Sequence, residues 1–341
     1  MSHVLNQDND KKGRSDYLLK YEHISAQPNA LMIINEINKT IIGKDEVIEK
    51  VLMAILAKGH ILLEDTPGVG KTTLALAFSK TMGLDYRRIQ FTPEIMPADV
   101  VGFSVYSKDK EKLLYQPGAV LCNLLLVDEI NRASSKTQSA LLESMEEGSV
   151  TVDGVTRQLP NPFTVIATQN PIGSTGTQLL PESQMDRFMV RLSMGYPEFQ
   201  DEIRILKNKQ VRDLLKLLKQ STSTMEILQM QEQVENVHID EDIYVYIARL
   251  AISTREHQLI RLGVSPRGSI ALVRMSKAAA WLSGRDYVIP SDVQLVFFDV
   301  FEHRIILNSQ VNLGNATTHS ILTRIMQTVL PPDISRKRAM L

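Results

Sequence analysis

Two kinds of apolar pattern divide the chain. Up to about residue 197, short continuous apolar runs alternate with stretches of helical period; beyond it only the helical period persists. The runs at His60–Glu64, Asn123–Val127 and Phe163–Ala167 are apolar at successive positions, as strands buried on both faces of a parallel sheet must be. Arg87–Phe91 and Met189–Ser193 are two further strand candidates. Between them lie helical patterns: Leu31–Asn38; Lys44–Lys58, with Val47, Ile48, Val51, Leu52 and Ile55 on one face; and a helix carrying Leu74, Ala77 and Phe78 inward and stopping near Gly83. Ser134 or Ser135 caps another, with Leu141, Leu142 and Met145 facing in. Ser149–Val152 and Val155–Leu159 flank Asp153-Gly154, the signature of a tight hairpin. Met96–Val105 shows little periodicity, and Gln116-Pro117-Gly118 reads as a turn.

The second half reads as helices over 203–218, 225–234, 239–254, 270–282, 291–303 and 319–329, with no strand expected. Residues 1–29 are polar and mixed in charge, a loose arm with a short helix expected near Tyr17–Tyr21. The basic cluster Arg336-Lys337-Arg338 reads as a frayed tail. The expected division is an arm (1–29), an α/β unit (30–200) and a helical unit (201–341).

Chemistry concentrates at the ends of the apolar runs. Leu62–Thr73 reads LLEDTPGVGKTT: strand, glycine-rich loop, helix. Backbone N–H groups at a helix N-terminus favour a polyphosphate. Gly68 and Gly70 let the backbone bend and approach, Lys71 can reach the outer phosphates, and the Thr72 hydroxyl can ligate magnesium. Thr66, Pro67, Val69 and Thr73 complete the cradle. The common pattern would place glycine at position 65, where this chain has Asp65.

Asp128-Glu129 ends a buried run about sixty residues later. Asp128 suits the metal ion, and Glu129 can polarise the attacking water. Asn170 ends the next buried run and can orient that water; Asn-Pro is equally a turn signal. Arg187 and Arg191 are candidates to contact the phosphate of a neighbouring subunit, and Arg267, opening a helix, can reach back over the phosphates. A surface ion pair is the ordinary role of such an arginine.

Composition narrows the classes. At 341 residues, 43% apolar and 23% charged, the chain has the make-up of a globular protein of roughly two or three domains. Net charge is −1, which supplies no basic field for nucleic acid. The single cysteine, Cys122, excludes a disulfide framework and a cysteine-rich metal site. No apolar stretch has signal-peptide or membrane-spanning length, so the expected location is cytoplasmic.

The glycine loop, LVDEINRASSKTQ (126–138), SALLE (139–143), ATQNP (167–171), LPESQMDRF (180–188) and, in the helical half, Thr254-Arg255-Glu256, Leu262–Arg267 and GRDYVIPSD (284–292) together resemble the MoxR family of AAA+ ATPases, over residues 30 to 330. Asp65 fits, because that family often reads EDxPGVGKT. The resemblance implies an α/β fold: a five-stranded parallel sheet sandwiched by helices, then an all-helical lid. It implies ATP and Mg2+ as ligands. Lys71 and Thr72 take the Walker A roles, Asp128 and Glu129 the Walker B roles, Asn170 is sensor 1, Arg187 the arginine finger, with Arg191 as competitor, and Arg267 is sensor 2. Ile42 and Gly43 line the adenine pocket. The Asp153-Gly154 hairpin is the pre-sensor 1 insertion, and Phe91–Gly102 the helix 2 insertion. The implied activity is ATP hydrolysis in a ring, of six subunits, that remodels a protein client such as one with a von Willebrand factor A domain. Rival readings are a metal-chelatase motor subunit, a nucleic-acid motor and a nucleotide-gated binding module without turnover. Net charge argues against the nucleic-acid motor, and Glu129 with Arg187 against the module.

Overall fold

The computed structural model describes residues 27–169, 180–209, 214–308 and 316–333. The expected helix near Tyr17–Tyr21, Asn170 and the cluster 336–338 lie outside the described residues.

Five parallel strands form the central sheet: β1 (Ile61–Glu64), β2 (Tyr86–Gln90), β5 (Leu124–Asp128), β8 (Thr164–Gln169) and β9 (Val190–Leu192), in the order β2-β5-β8-β1-β9. Burial on both faces explains why β1, β5 and β8 each contain a run of successive apolar positions. Ile61, Leu63, Leu124, Leu126 and Ile166 point to one face, packed on the helices Pro28–Ile37, Asp45–Leu56 and Lys71–Met82. Leu62, Leu125, Val127, Val165 and Ala167 point to the other, onto the helix Ser135–Glu147. β2 is the outer strand and only partly buried, consistent with its two arginines. Gly83 (φ +62°) ends the helix Lys71–Met82, and Ser134 Oγ accepts from the Thr137 N–H to start Ser135–Glu147.

Three two-stranded sheets accompany the central sheet among the described residues. β6 (Ser149–Val152) and β7 (Val155–Gln158) form the expected hairpin. The stretch Met96–Val105, expected to show little periodicity, forms the short helix Pro97–Val101 and then enters a second hairpin, β3 (Gly102–Ser107) with β4 (Lys112–Pro117), so Gln116-Pro117 ends a strand instead of forming a turn. Its faces are mixed in exposure, with Phe103, Val105, Tyr106 and Leu113 open to solvent, which removes the in-out alternation that marks a strand. In the helical half, β10 (Ile260–Leu262) pairs with β11 (Ile306–Leu307); strands this short leave no period to read.

That half comprises the helices Phe199–Lys209, Thr224–Glu235, Glu241–Glu256, Pro266–Leu282, Pro290–Phe301 and Thr318–Thr328. Its apolar side shares one core with the sheet face built around Ile61 and Leu63, through residues such as Ile227, Leu272, Phe297 and Leu322. The helix expected over 203–218 spans 199–209, and Leu214–Leu217 is a short 3-10 turn. No described helix is long and apolar enough to cross a membrane.

Candidate functional site

At the C-terminal end of β1 the chain turns through Gly68 (φ +90°) and Gly70 (φ +101°) directly into the helix Lys71–Met82. Nothing crowds a Cβ at Gly68, so backbone conformation rather than space calls for glycine there. Lys71 is buried. Its Nζ donates to the carbonyl oxygens of Asp65 (2.7 Å) and Thr66 (3.1 Å). Burial pulls its pKa down, opposed by the carboxylates of Asp65, Asp128 and Glu129. Asp65, 5% exposed, accepts from Ser193 Oγ (2.7 Å), Met194 N–H (2.6 Å) and Gly195 N–H (3.0 Å). A carboxylate at the position where glycine is common thus ties the loop to the segment leaving β9. Val69 packs against the core.

The loop forms one wall of a cleft of about 350 Å³, lined by Pro67, Gly68, Gly70 and Lys71–Thr73 on one side and by Arg88, Gln90, Asp128, Glu129 and Thr168 on the other. Asp128 is the last residue of β5, and its carboxylate accepts from Arg88 Nε (2.7 Å) and Thr168 Oγ1 (3.2 Å). Glu129 has φ +56°, a left-handed conformation that a non-glycine residue holds at about 1–3 kcal/mol of strain. Thr168 Oγ1 accepts the Glu129 N–H (3.0 Å), and Arg132 Nη1 pairs with Glu129 Oε2 (2.8 Å). Thr168 therefore fixes both members of the acidic pair. Neither Thr168 nor Arg88 was singled out in the sequence. The parallel register Val127↔Ala167 places 168 beside 128, and Gln90↔Asp128 brings the end of β2 beside it from the other side. The expected partner Asn170 follows Gln169, whose Nε2 donates to Glu64 Oε1 (2.8 Å), and lies outside the described residues.

The donor set fits a magnesium ion: one hydroxyl, Thr72, and one carboxylate, Asp128, face the same cleft, and Asp128 already holds a cationic group. Magnesium takes few protein ligands and completes its octahedron with water and phosphate oxygens. Ile42 and Gly43 do not line this cleft. Gly43 (φ +70°) abuts the Asp201 side chain, and Lys44 Nζ donates to Tyr196 O (2.9 Å), so the pair borders the connection between β9 and the helix Phe199–Lys209.

Arg187 and Arg267 lie elsewhere. Both line a second cavity, about 470 Å³, together with Gly59, His60, Arg274 and Arg304. Arg187 Nη1 pairs with Glu146 Oε2 (2.6 Å) and donates to Leu142 O (2.8 Å); Arg267 pairs with the other oxygen of Glu146. Arg267, expected over the phosphates, does not line the glycine-loop cleft in this structure. Gly59 and His60 lead into the N-terminal end of β1, whereas the loop leaves its C-terminal end. Four strand residues separate the two edges by about 13 Å. Arg191 does not line this cavity; it pairs with Glu64 (2.9 Å) and Glu302 (3.8 Å).

A buried arginine fixes this second cavity. Arg304, its side chain 2% exposed, donates to Asp186 Oδ1 (2.8 Å) and to the carbonyls of Asp186 (3.2 Å), Phe188 (2.6 Å) and Met189 (3.2 Å). Asp186 also accepts from Ser265 Oγ (2.8 Å), the cap of the helix that carries Arg267. The helical half thus grips the Asp186-Arg187 turn of the α/β half. His60 spans the floor: its Nδ1 accepts the Val165 N–H (3.0 Å), which leaves Nε2–H to donate to Met145 O (3.0 Å). Burial pushes its pKa down to about 4.

Residues 60–190 match the ATPase family associated with various cellular activities (AAA), and residues 252–325 match the AAA lid domain. The chain is 46% identical over 299 residues to the uncharacterized protein YeaC of Bacillus subtilis, covering 88% of this chain and 93% of that one. It is 37% identical over 324 residues to chaperone MoxR1 of Mycobacterium tuberculosis, covering 92% and 85%. A crystal structure from Cytophaga hutchinsonii, provisionally described as an ATPase, superimposes with a TM-score of 0.83 at 35% identity, covering 95% of this chain and 99% of that one. A sheet of five parallel strands, a glycine-loop cleft, a helical lid and relatives over nearly the full length converge: the chain belongs to the MoxR family of AAA+ ATPases.

Proposed function

We propose that the protein hydrolyses ATP as a subunit of a closed, six-membered ring and couples turnover to remodelling of a protein client. The observation that carries this reading is the separation of two half-sites. One sheet edge has the glycine loop, Lys71 and the acidic pair. The other has Arg187 and Arg267, side by side on Glu146. Cations placed beyond reach of their own cleft suit the cleft of a neighbour, and head-to-tail repetition of such a contact closes into a ring. Arg187 is the finger in this reading, and Arg267 also acts on the neighbour's nucleotide.

Within the cleft, Gly68, Gly70 and the first N–H groups of the helix Lys71–Met82 hold the phosphates, and Lys71 leaves its two carbonyl partners for the outer ones. Thr72 and Asp128 would hold magnesium, which would supply charge compensation to the phosphate oxygens. Glu129, aimed by Thr168, takes a proton from the attacking water, and Asn170 orients that water. The water oxygen bonds to the γ-phosphorus as the bond to the bridging oxygen breaks. Arg187 and Arg267 of the neighbour stabilise the charge that develops. Movement of the helical half, gripped to Arg187 through Arg304, transmits the step to the client. The chaperone name of one relative supports a protein client, and a partner with a von Willebrand factor A domain is the class that family membership suggests.

Steady-state phosphate release tests the reading. The parent protein turns over ATP, and Glu129→Gln loses at least about a hundredfold in rate while retaining bound ATP. A parent that binds ATP tightly without releasing phosphate overturns it.

A further inference from the structure

Arg88 is a charged residue of the cleft without a role in the scheme above. It projects from the edge strand β2, on the same strand face as Gln90, and lines the cleft together with Lys71. Its Nε lies 2.7 Å from Asp128 Oδ2, the carboxylate proposed to hold the metal ion. Among the described residues its two terminal nitrogens have no protein partner. Arg88 is about half exposed, and an ion pair at that exposure has little net stability, so the guanidinium can exchange partners cheaply. Its planar fork matches phosphate as well as carboxylate.

Charge decides the direction of the exchange. A guanidinium and a divalent cation cannot share one carboxylate oxygen at contact distance without strong repulsion. Once Asp128 is taken by the cation, Arg88 is left in a cleft that contains a polyphosphate. We propose that Arg88 reads the nucleotide state: it holds Asp128 until a divalent cation takes that carboxylate, then turns to the terminal phosphate, so that a triphosphate is favoured over a diphosphate. The inference rests on the nucleotide reading of the cleft.

Equilibrium binding of fluorescently labelled ADP and a slowly hydrolysed ATP analogue to the full chain tests it, with magnesium and with a chelator. In magnesium, Arg88→Met weakens the triphosphate about tenfold and leaves ADP within about twofold. With the chelator, the ratio of triphosphate to diphosphate affinity is the same for parent and variant. Arg88→Lys, which keeps charge but not the fork, falls between parent and Arg88→Met in magnesium, and decides by the same ratio should Arg88→Met not fold. Equal weakening of both nucleotides, or an unchanged ratio, overturns this inference alone. A parent that binds neither nucleotide removes the nucleotide reading as well.

Discussion

The two edges of the central sheet are built in opposite ways. At the glycine-loop edge, the reactive groups sit where strands end: Lys71 after β1, Asp128 and Glu129 at the end of β5, Thr168 within β8. Backbone geometry holds them, through two left-handed glycines, a left-handed Glu129 and the register of parallel strands. At the Arg187 edge, the groups come from distant parts of the chain. Glu146 ends a helix, Arg187 precedes β9, and Arg267 and Arg304 belong to the helical half. Long-range side-chain contacts hold them, chiefly those of Arg304. Secondary structure places the groups of the first edge; those of the second depend on how the two halves dock. An edge of the second kind is where movement of the helical half can shift the groups that line it.

The largest expected effect separates the edges by function. Arg187→Ala lowers turnover on the order of a thousandfold while nucleotide affinity stays near the parent value. Lys71→Ala loses the affinity itself, and titration of a labelled nucleotide reads the difference. Next is Arg304→Met, which leaves Asp186 and several buried carbonyls without their donor. It costs about 3–5 kcal/mol in denaturant unfolding, with turnover falling more than nucleotide affinity among the molecules that remain folded. Asp65→Ala strands three donors at the other edge and costs about 2–4 kcal/mol, measured the same way.

A pH titration probes the floor of the second cavity. His60 is neutral in the folded protein, its pKa depressed to about 4 by burial, whereas in the unfolded chain it protonates near 6.5. Between those values the unfolded state binds the extra proton. Its contribution to stability is thus full above pH 6.5 and is lost as pH falls toward 4, at up to about 1.4 kcal/mol per pH unit. His60→Gln flattens that slope in unfolding curves collected from pH 7 to 4.5. The smallest effect belongs to Glu146→Gln. Its ion pairs with Arg187 and Arg267 are 31–44% exposed at the three side chains, and their loss changes stability by less than about 1 kcal/mol.

The same contrast governs what was legible in the sequence. The glycine loop and Asp128-Glu129 are short contiguous motifs at the ends of apolar runs, and the structure brings them to one cleft. The three inner strands β5, β8 and β1 were legible because burial on both faces makes successive positions apolar. Asp65 resembled a departure because its reason, the donors at 193–195, lies 128 or more residues away. Arg267 was legible as a helix start but not in its destination, since docking of the helical half sets that. Arg304 had no signal at all: it reads as one more polar position after a helix, and only the fold surrounds it with Asp186 and the carbonyls of β9's approach. The β3–β4 hairpin escaped because its mixed exposure erases alternation.

The central claim is that each edge completes the site of a neighbour, and mixing subunits tests it most directly. Lys71→Ala subunits keep the Arg187 edge and lack a working cleft; Arg187→Ala subunits keep the cleft and lack the finger. Each alone is expected to release phosphate at background rate. Titrating one into the other restores turnover, to a maximum near equal amounts, because some interfaces then pair an intact cleft with an intact finger. Mixtures that stay at background at every ratio, although both variants assemble with the parent protein, contradict the account.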